Sequence, residues 1–125
     1  MEWSLRTDLP IYSQLVEQIR LAIVSGKLHP GEKIASVRDL ASEAGVNPNT
    51  MQRALQELER EGMVFAQRTS GRYVTEELQI IEKAKVVLAE KQVQAFLITM
   101  QNLGYSSEEV INLLQSRKET KDVNS

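Results

Sequence analysis

The segment from Ser36 to Gly62 constrains the fold more than any other part of the chain, because it carries two helix starts separated by a short turn. Ser36, with Asp39 three residues later, is close to a capping box, in which the hydroxyl accepts a backbone N–H and the carboxylate lies at the positive helix end. Gly45 has the backbone freedom that a helix end followed by a sharp turn requires. We therefore predict a short helix that begins at Ser36 and ends at Gly45.

A second helix is predicted directly after this turn. Asn47 can cap it, and Pro48 is tolerated in the first helical turn. Val46 and Met51 have the spacing of a hydrophobic staple. One face of the helix is apolar, with Met51, Ala54, Leu55 and Leu58. Another face is polar and almost free of acid, with Asn49, Gln52, Arg53 and Gln56.

The polar face of the second helix indicates DNA binding. Asparagine, glutamine and arginine match base edges in the major groove, and an α-helix fits that groove. Taken by itself, the helix is also compatible with an ordinary solvated amphipathic helix. The segment that follows favours the DNA-binding interpretation.

This following segment, residues 63–75, reads MVFAQRTSGRYVT and predicts a β-hairpin, because two β-rich runs flank a polar turn with Gly71. Arg68 and Arg72 lie near the turn, and the hydroxyls of Thr69 and Ser70 can contact phosphates. A hairpin with basic residues directly after two such helices is a winged helix-turn-helix.

Composition limits the other functions. The 125 residues include no cysteine and a single histidine, His29, which precedes a proline and has no partner at metal-ligand spacing. We expect an exposed turn residue there, and neither a catalytic site, a metal site nor a cofactor. No apolar run approaches the ~20 residues that span a bilayer, so we expect a cytoplasmic protein without membrane contact.

The charge balance is unusual for a DNA-binding protein. The formal net charge is -2, and residues 1–76 carry nine Lys and Arg against ten Asp and Glu. DNA binding must therefore depend on local placement of basic side chains. An alternative function is a winged helix that binds another protein without sequence-specific DNA binding.

Residues 10–75 resemble the DNA-binding domain of the GntR family of bacterial transcription regulators. The resemblance rests on an ordered series of motifs: the Pro-Gly turn, Ser-Val-Arg-Asp-Leu-Ala, Gly-Val, Asn-Thr, Ala-Leu-Gln-Glu-Leu, Glu-Gly and the wing. It implies that Arg38, the polar residues at the start of the second helix, and Gly71 contact DNA. The candidate DNA-binding residues are Ser36, Arg38, Asn47, Asn49, Thr50, Gln52, Arg53, Arg68, Thr69, Ser70, Gly71 and Arg72.

Some positions depart from the common family pattern. Ile34-Ala35-Ser36 stands where Leu-Pro-Ser is usual, and Thr69-Ser70-Gly71 replaces the Gly-x-Gly of the wing. Asn47-Pro48 replaces a Ser-Arg pair and removes an arginine that relatives use for base contact, so Arg53 is expected to carry more of the readout. Asn-Pro-Asn-Thr resembles the small YtrA subfamily.

The remaining chain predicts two helices and a tail. One helix of about 25 residues carries more apolar surface than a small domain needs. Ser106 and Glu109 then form a second capping box. We predict a mainly α protein with a small β-hairpin: a winged helix-turn-helix over 1–76, a two-helix dimerisation region over 77–116 and a disordered tail over 117–125. The expected dimerisation residues are Ile81, Ala84, Leu88, Ala95, Phe96 and Leu103.

These features together predict a transcription repressor. Its expected partners are a second copy of the chain and a palindromic operator in double-stranded DNA. Two helices cannot enclose the effector pockets of larger relatives, so a pairing surface is favoured over a ligand site, and no effector is assigned.

Overall fold

The computed structural model describes residues 1–120 and contains five helices and one hairpin within that range. The helices are α1 (Ile11–Val24), α2 (Val37–Ala44), α3 (Pro48–Arg60), α4 (Leu78–Asn102) and α5 (Ser107–Thr120), and the strands are β1 (Val64–Gln67) and β2 (Gly71–Val74). The prediction of a mainly helical protein with a small hairpin is confirmed. The chain divides into two compact units, Met1–Lys85 and the residues from Val86 onward.

The helix starts predicted from local sequence are confirmed. The Ser36 hydroxyl accepts a hydrogen bond from the Asp39 backbone N–H at 3.1 Å, and the Asn47 side chain accepts one from the Asn49 N–H at 2.7 Å. Gly45 ends α2 at a φ of 70°, a left-handed conformation that favours glycine. These caps fix the directions in which α2 and α3 leave their connecting turn.

The core of the first unit lies between α1, α3 and the hairpin. Leu15 and Ile19 of α1 and Met51, Leu55 and Leu58 of α3 are at most 1% exposed, and α1 packs against α3. Met63, Val64 and Val74 of the hairpin region complete the same cluster. The predicted apolar face of the second helix is therefore buried, and its other face is left for function.

The hairpin is antiparallel, with Val64 opposite Val74 and Gln67 opposite Gly71. The segment before α2 pairs with β2 through one bridge, between Lys33 and Tyr73, and through backbone hydrogen bonds that include one from the Ile34 N–H to the Arg72 carbonyl. This pairing ties the segment before α2 to the wing.

The N-terminal arm docks on α1 through two glutamine side chains. Gln18 accepts a hydrogen bond from the Ser4 N–H and donates one to the Ser4 carbonyl, and Gln14 does the same for Arg6. Trp3 and Leu5, which alternate with these residues, pack against the core cluster. The arm is therefore a segment docked on α1 and on the core cluster.

The first unit extends beyond residue 76, where the sequence predicted a domain boundary. Ile80, Ile81 and Ala84 of α4 pack against the core cluster of the first unit, which explains why that unit continues to Lys85.

In the second unit the predicted capping box at the start of α5 is confirmed. The Ser106 N–H donates to the Glu109 carboxylate at 2.8 Å, and the Glu109 N–H donates to the Ser106 hydroxyl at 3.1 Å. The expectation of a tail from residue 117 is wrong for residues 117–120, which are helical. Arg117 and Lys118 lie in the last turn, where positive charge stabilises the negative helix end. The rest of the expected tail, 121–125, lies outside the described residues.

Candidate nucleic-acid interface

Helix α3 presents its polar face to solvent. Asn49, Arg53 and Gln56 are exposed, and Thr50 and Gln52 are half-buried. The Asn47 side-chain oxygen is occupied by its cap hydrogen bond, so this carboxamide offers DNA its NH2 donors more readily than its acceptor. The face therefore carries several side chains that can donate to and accept from base edges.

The wing and the start of α2 share one cleft. Ser36, Ser70, Gly71 and Arg72 line a cavity of about 300 Å³, and Lys33 lines it as well. The structure thus brings together candidate residues from two separate parts of the sequence. Arg68 and Thr69 lie in the exposed turn of the hairpin.

Lys33 is a basic residue of this cleft that the sequence prediction missed. Its Cε lies 3.2 Å from where a side chain at Gly71 would begin, so the lysine stem lies against the wing backbone. Nothing local to Lys33 indicates this contact, because the wing is about 38 residues away in the sequence.

Arg72 does not project from the wing as expected. Its Nη2 lies 3.4 Å from the Glu59 carboxylate of α3, and only 19% of its side chain is exposed. Its Nε is buried and has no hydrogen-bond partner among the described residues. Arg72 therefore connects the wing to α3, and its charge is largely offset by Glu59.

Arg38 and Arg68 are available for binding. Both side chains are exposed, and neither forms a hydrogen bond or ion pair with another of residues 1–120. Arg38 lies in the first turn of α2, and Arg68 lies at the hairpin turn. Two cations on separate elements of the same unit can contact separate phosphates.

Ion pairs neutralise the acidic end of α3. Glu57 pairs with Arg60, Glu59 with Arg72 and Glu61 with Arg20. The pKa of the Glu57 carboxyl lies below its ordinary value, and hydrogen bonds from Arg60 are the largest cause. Each of these three carboxylates is thus matched by an arginine.

The pair between Arg20 and Glu61 joins α1 to the residue that follows α3. The Arg20 Nη2 donates to both Glu61 oxygens, at 2.8 and 2.7 Å, and its Nη1 lies 3.2 Å from Glu17. Burial lowers the pKa of the Arg20 guanidinium, but the hydrogen bond and charge of Glu61 outweigh this effect and raise the pKa above its ordinary value. This arginine is a structural element and not a free cation.

Arg53 is held differently. Its guanidinium carbon lies 4.5 Å from the centroid of the Tyr12 ring, in a cation–π contact with α1. Nothing local in the sequence predicts this contact, because 40 residues separate Tyr12 and Arg53.

The expected dimerisation residues fall into two groups. Ile81 and Ala84 pack against the core of the first unit, so their assignment to a pairing surface is not supported. Leu88 is half-buried, Ala95 is exposed, Phe96 is 42% exposed and Leu103 is 68% exposed. None of the residues of α4 is buried in the single chain.

His29 is exposed in a turn, with its Nδ1 3.2 Å from Glu32. No helix within residues 1–120 has both the length and the apolar character needed to cross a bilayer.

Two packed helices, the second with an exposed polar face, followed by a hairpin with an exposed arginine, define a winged helix-turn-helix DNA-binding protein. The family model "Bacterial regulatory proteins, gntR family" matches residues 11–74. The chain belongs to the GntR family and is a DNA-binding transcription regulator, not an enzyme.

Individual relatives agree with this assignment and with the YtrA-like character expected from Asn47-Pro48-Asn49-Thr50. The chain is 33% identical over 106 residues to the transcriptional repressor YtrA of Bacillus subtilis, which covers 84% of this chain and 82% of YtrA. A GntR family regulator from Listeria monocytogenes has 36% identity and a TM-score of 0.81, over 90% of this chain and 98% of that chain. The AraR DNA-binding domain, solved in complex with operator ORE1, has 28% identity and a TM-score of 0.51, over 60% of this chain and 94% of that domain.

Proposed function

We propose that this protein is a repressor that binds a palindromic operator as a homodimer in the cytoplasm. The observation that carries the proposal is the combination of an exposed polar face on α3 with an exposed apolar surface on α4. The polar face suits base edges in a DNA groove, and the apolar surface suits an apolar partner. The relatives add support, since YtrA is named a repressor and AraR is seen with operator DNA.

In this proposal α3 enters the major groove of each half-site. Asn49, Gln52 and Arg53 read base edges, because their side chains offer paired donors or acceptors. Arg38, Arg68 and Lys33 contact phosphates, which position the protein without specifying sequence. The wing tip at Ser70 and Gly71 approaches the minor groove. Exposure of these side chains, with Gln52 half-buried, supports this division of roles.

The homodimer is assigned to the apolar residues of α4 beyond Lys85. Leu88 and Ala95 are one heptad apart, and so are Phe96 and Leu103, a spacing that suits pairing between helices. A two-fold dimer places two recognition helices about one DNA turn apart, roughly 34 Å, and so matches a palindrome. Repression then follows because the bound dimer occludes the promoter.

Charge insertion into α4 tests the dimer. Phe96→Glu should produce a monomer at micromolar concentration, because an unpaired charge in an apolar contact costs several kcal/mol. Gln94→Glu, at an exposed position on the opposite face of α4, is the matched control and should stay dimeric. Sedimentation velocity separates the two outcomes. A dimer that persists in Phe96→Glu would place the pairing surface elsewhere.

Selection of duplexes from a random pool tests DNA recognition. We expect an enriched palindrome that shifts in a gel with the wild-type protein and shifts weakly with Phe96→Glu. Absence of any enriched sequence would favour the alternative of a protein-interaction module.

A further inference from the structure

Arg53 contacts an aromatic ring, whereas the other arginines that contact α3 or the residue just after its C-terminus form ion pairs. Arg20, Arg60 and Arg72 are each paired with a glutamate. Within residues 1–120, Arg53 instead lies over a neutral aromatic ring. A carboxylate offsets the charge of an arginine and occupies its N–H donors, whereas an aromatic ring does neither.

The contact with the Tyr12 ring leaves the guanidinium of Arg53 exposed. A guanidinium that lies over a ring keeps its N–H donors, which point outward in the plane of the group. Arg53 remains exposed although Tyr12 is half-buried at the edge of the contact between α1 and α3. The ring thus restricts where the guanidinium lies without masking the edge that a base would meet.

Restriction of this kind favours binding. A free arginine samples many rotamers and loses that freedom when it binds, so a side chain already confined pays less entropy on association. The planar fork of arginine pairs with O6 and N7 of guanine, and this pairing depends on orientation. Tyr12 therefore lies where it can control the orientation of a base-reading group.

We propose that Tyr12 is a positioning residue for sequence recognition: its ring aligns Arg53 of α3 for bidentate readout of a G·C base pair in each half-site. This inference rests on the proposed function, in which Arg53 reads a base edge. It extends DNA recognition to α1, a helix outside the helix-turn-helix.

The test uses the full-length protein with variants Tyr12→Phe, Tyr12→Leu, Arg53→Ala and the double variant Tyr12→Leu with Arg53→Ala. The probes are a duplex selected from a random pool by the wild-type protein, the same duplex with each base pair changed in turn, and a random duplex of equal length. Fluorescence anisotropy gives the affinities. Thermal unfolding confirms that each variant is folded.

We expect Tyr12→Leu to weaken binding to the selected duplex by about two- to fivefold, the usual strength of an exposed cation–π contact. Binding to random DNA should not change, and preference for one G·C pair should fall. Tyr12→Phe keeps the ring and should match wild type. The double variant should bind no worse than Arg53→Ala, which should itself lose about 5- to 150-fold in discrimination at that pair.

Several results would overturn the inference. Tyr12→Phe as weak as Tyr12→Leu would assign the effect to the hydroxyl. Equal loss on random DNA, or additive losses in the double variant, would show that Tyr12 does not act through Arg53. If Arg53→Ala loses discrimination and Tyr12→Leu does not, the inference fails and the proposed function stands. If Arg53→Ala keeps full discrimination, the base-reading role of Arg53 fails as well.

Discussion

Arg68 and Arg72 are four residues apart, yet the structure predicts different effects when each is changed to alanine. Arg68 is exposed at the hairpin turn, and Arg72 is paired with Glu59 with 19% of its side chain exposed. Only a cation that contacts a phosphate releases a counterion from DNA on binding. Arg68→Ala should therefore change the salt dependence of binding, and Arg72→Ala should change it much less.

The magnitude follows from counterion release. Each phosphate contact contributes about 0.9 to the slope of log K against log salt, so two copies of Arg68 in the proposed dimer contribute about 1.8. Between ~50 and ~200 mM salt, the affinity of wild type should fall about tenfold more than the affinity of Arg68→Ala. Arg72→Ala should instead cost about 1 kcal/mol of folding free energy, because it leaves Glu59 without its partner.

Anisotropy titrations of the selected duplex at several KCl concentrations measure the slopes, and urea unfolding measures stability. Wild type is the reference for both variants. Equal slopes for wild type and Arg68→Ala would remove Arg68 from the phosphate contacts. If Arg72→Ala reduced the slope as much as Arg68→Ala does, the ion pair between Arg72 and Glu59 would have to open when DNA binds.

Three changes test the scaffold by equilibrium urea unfolding. Glu61→Ala should lower the free energy of unfolding by about 1 to 2 kcal/mol, because Arg20 then keeps only Glu17 as a partner. Asp8→Ala, which breaks the exposed ion pair with Arg6, is the control and should change it by less than about 0.5 kcal/mol. Equal losses in the two variants would contradict a stabilising role for the partly buried Glu61. Ser36→Ala should cost about 1 kcal/mol through loss of the α2 cap, so an unchanged midpoint would argue against it. Met51→Ala, at a site with 0% exposure, should cost about 2 to 5 kcal/mol, and a loss below this range would show that the core closes around the gap.

The parts of the fold that the sequence predicted depend on nearby residues. Ser36 and Asp39, or Ser106 and Glu109, lie within one helical turn of each other, so their caps follow from local chemistry. The hairpin is predictable for the same reason, because its turn lies between its strands.

The parts that were missed depend on residues brought together by packing. Arg20 reaches Glu61 across 41 positions in the sequence, and nothing local to either residue indicates the other. Arg72 was expected in the candidate site because it lies near the wing turn, but its direction is set by Glu59. The same limit applies to Lys33, and to Ile81, whose apolar side chain gives no indication of whether its own unit or another chain covers it.

Helix α3 divides its two tasks between different side chains. The residues that hold it in the core, such as Leu55 and Leu58, are buried, and the residues that face outward, such as Asn49 and Gln56, contribute little to packing. Exposed substitutions of this kind are close to neutral for stability. Under the proposed readout by this face, one copy could drift to a new operator after a gene duplication, while selection for folding preserves the inner face. The two copies could then come to regulate different genes without either domain losing folding stability.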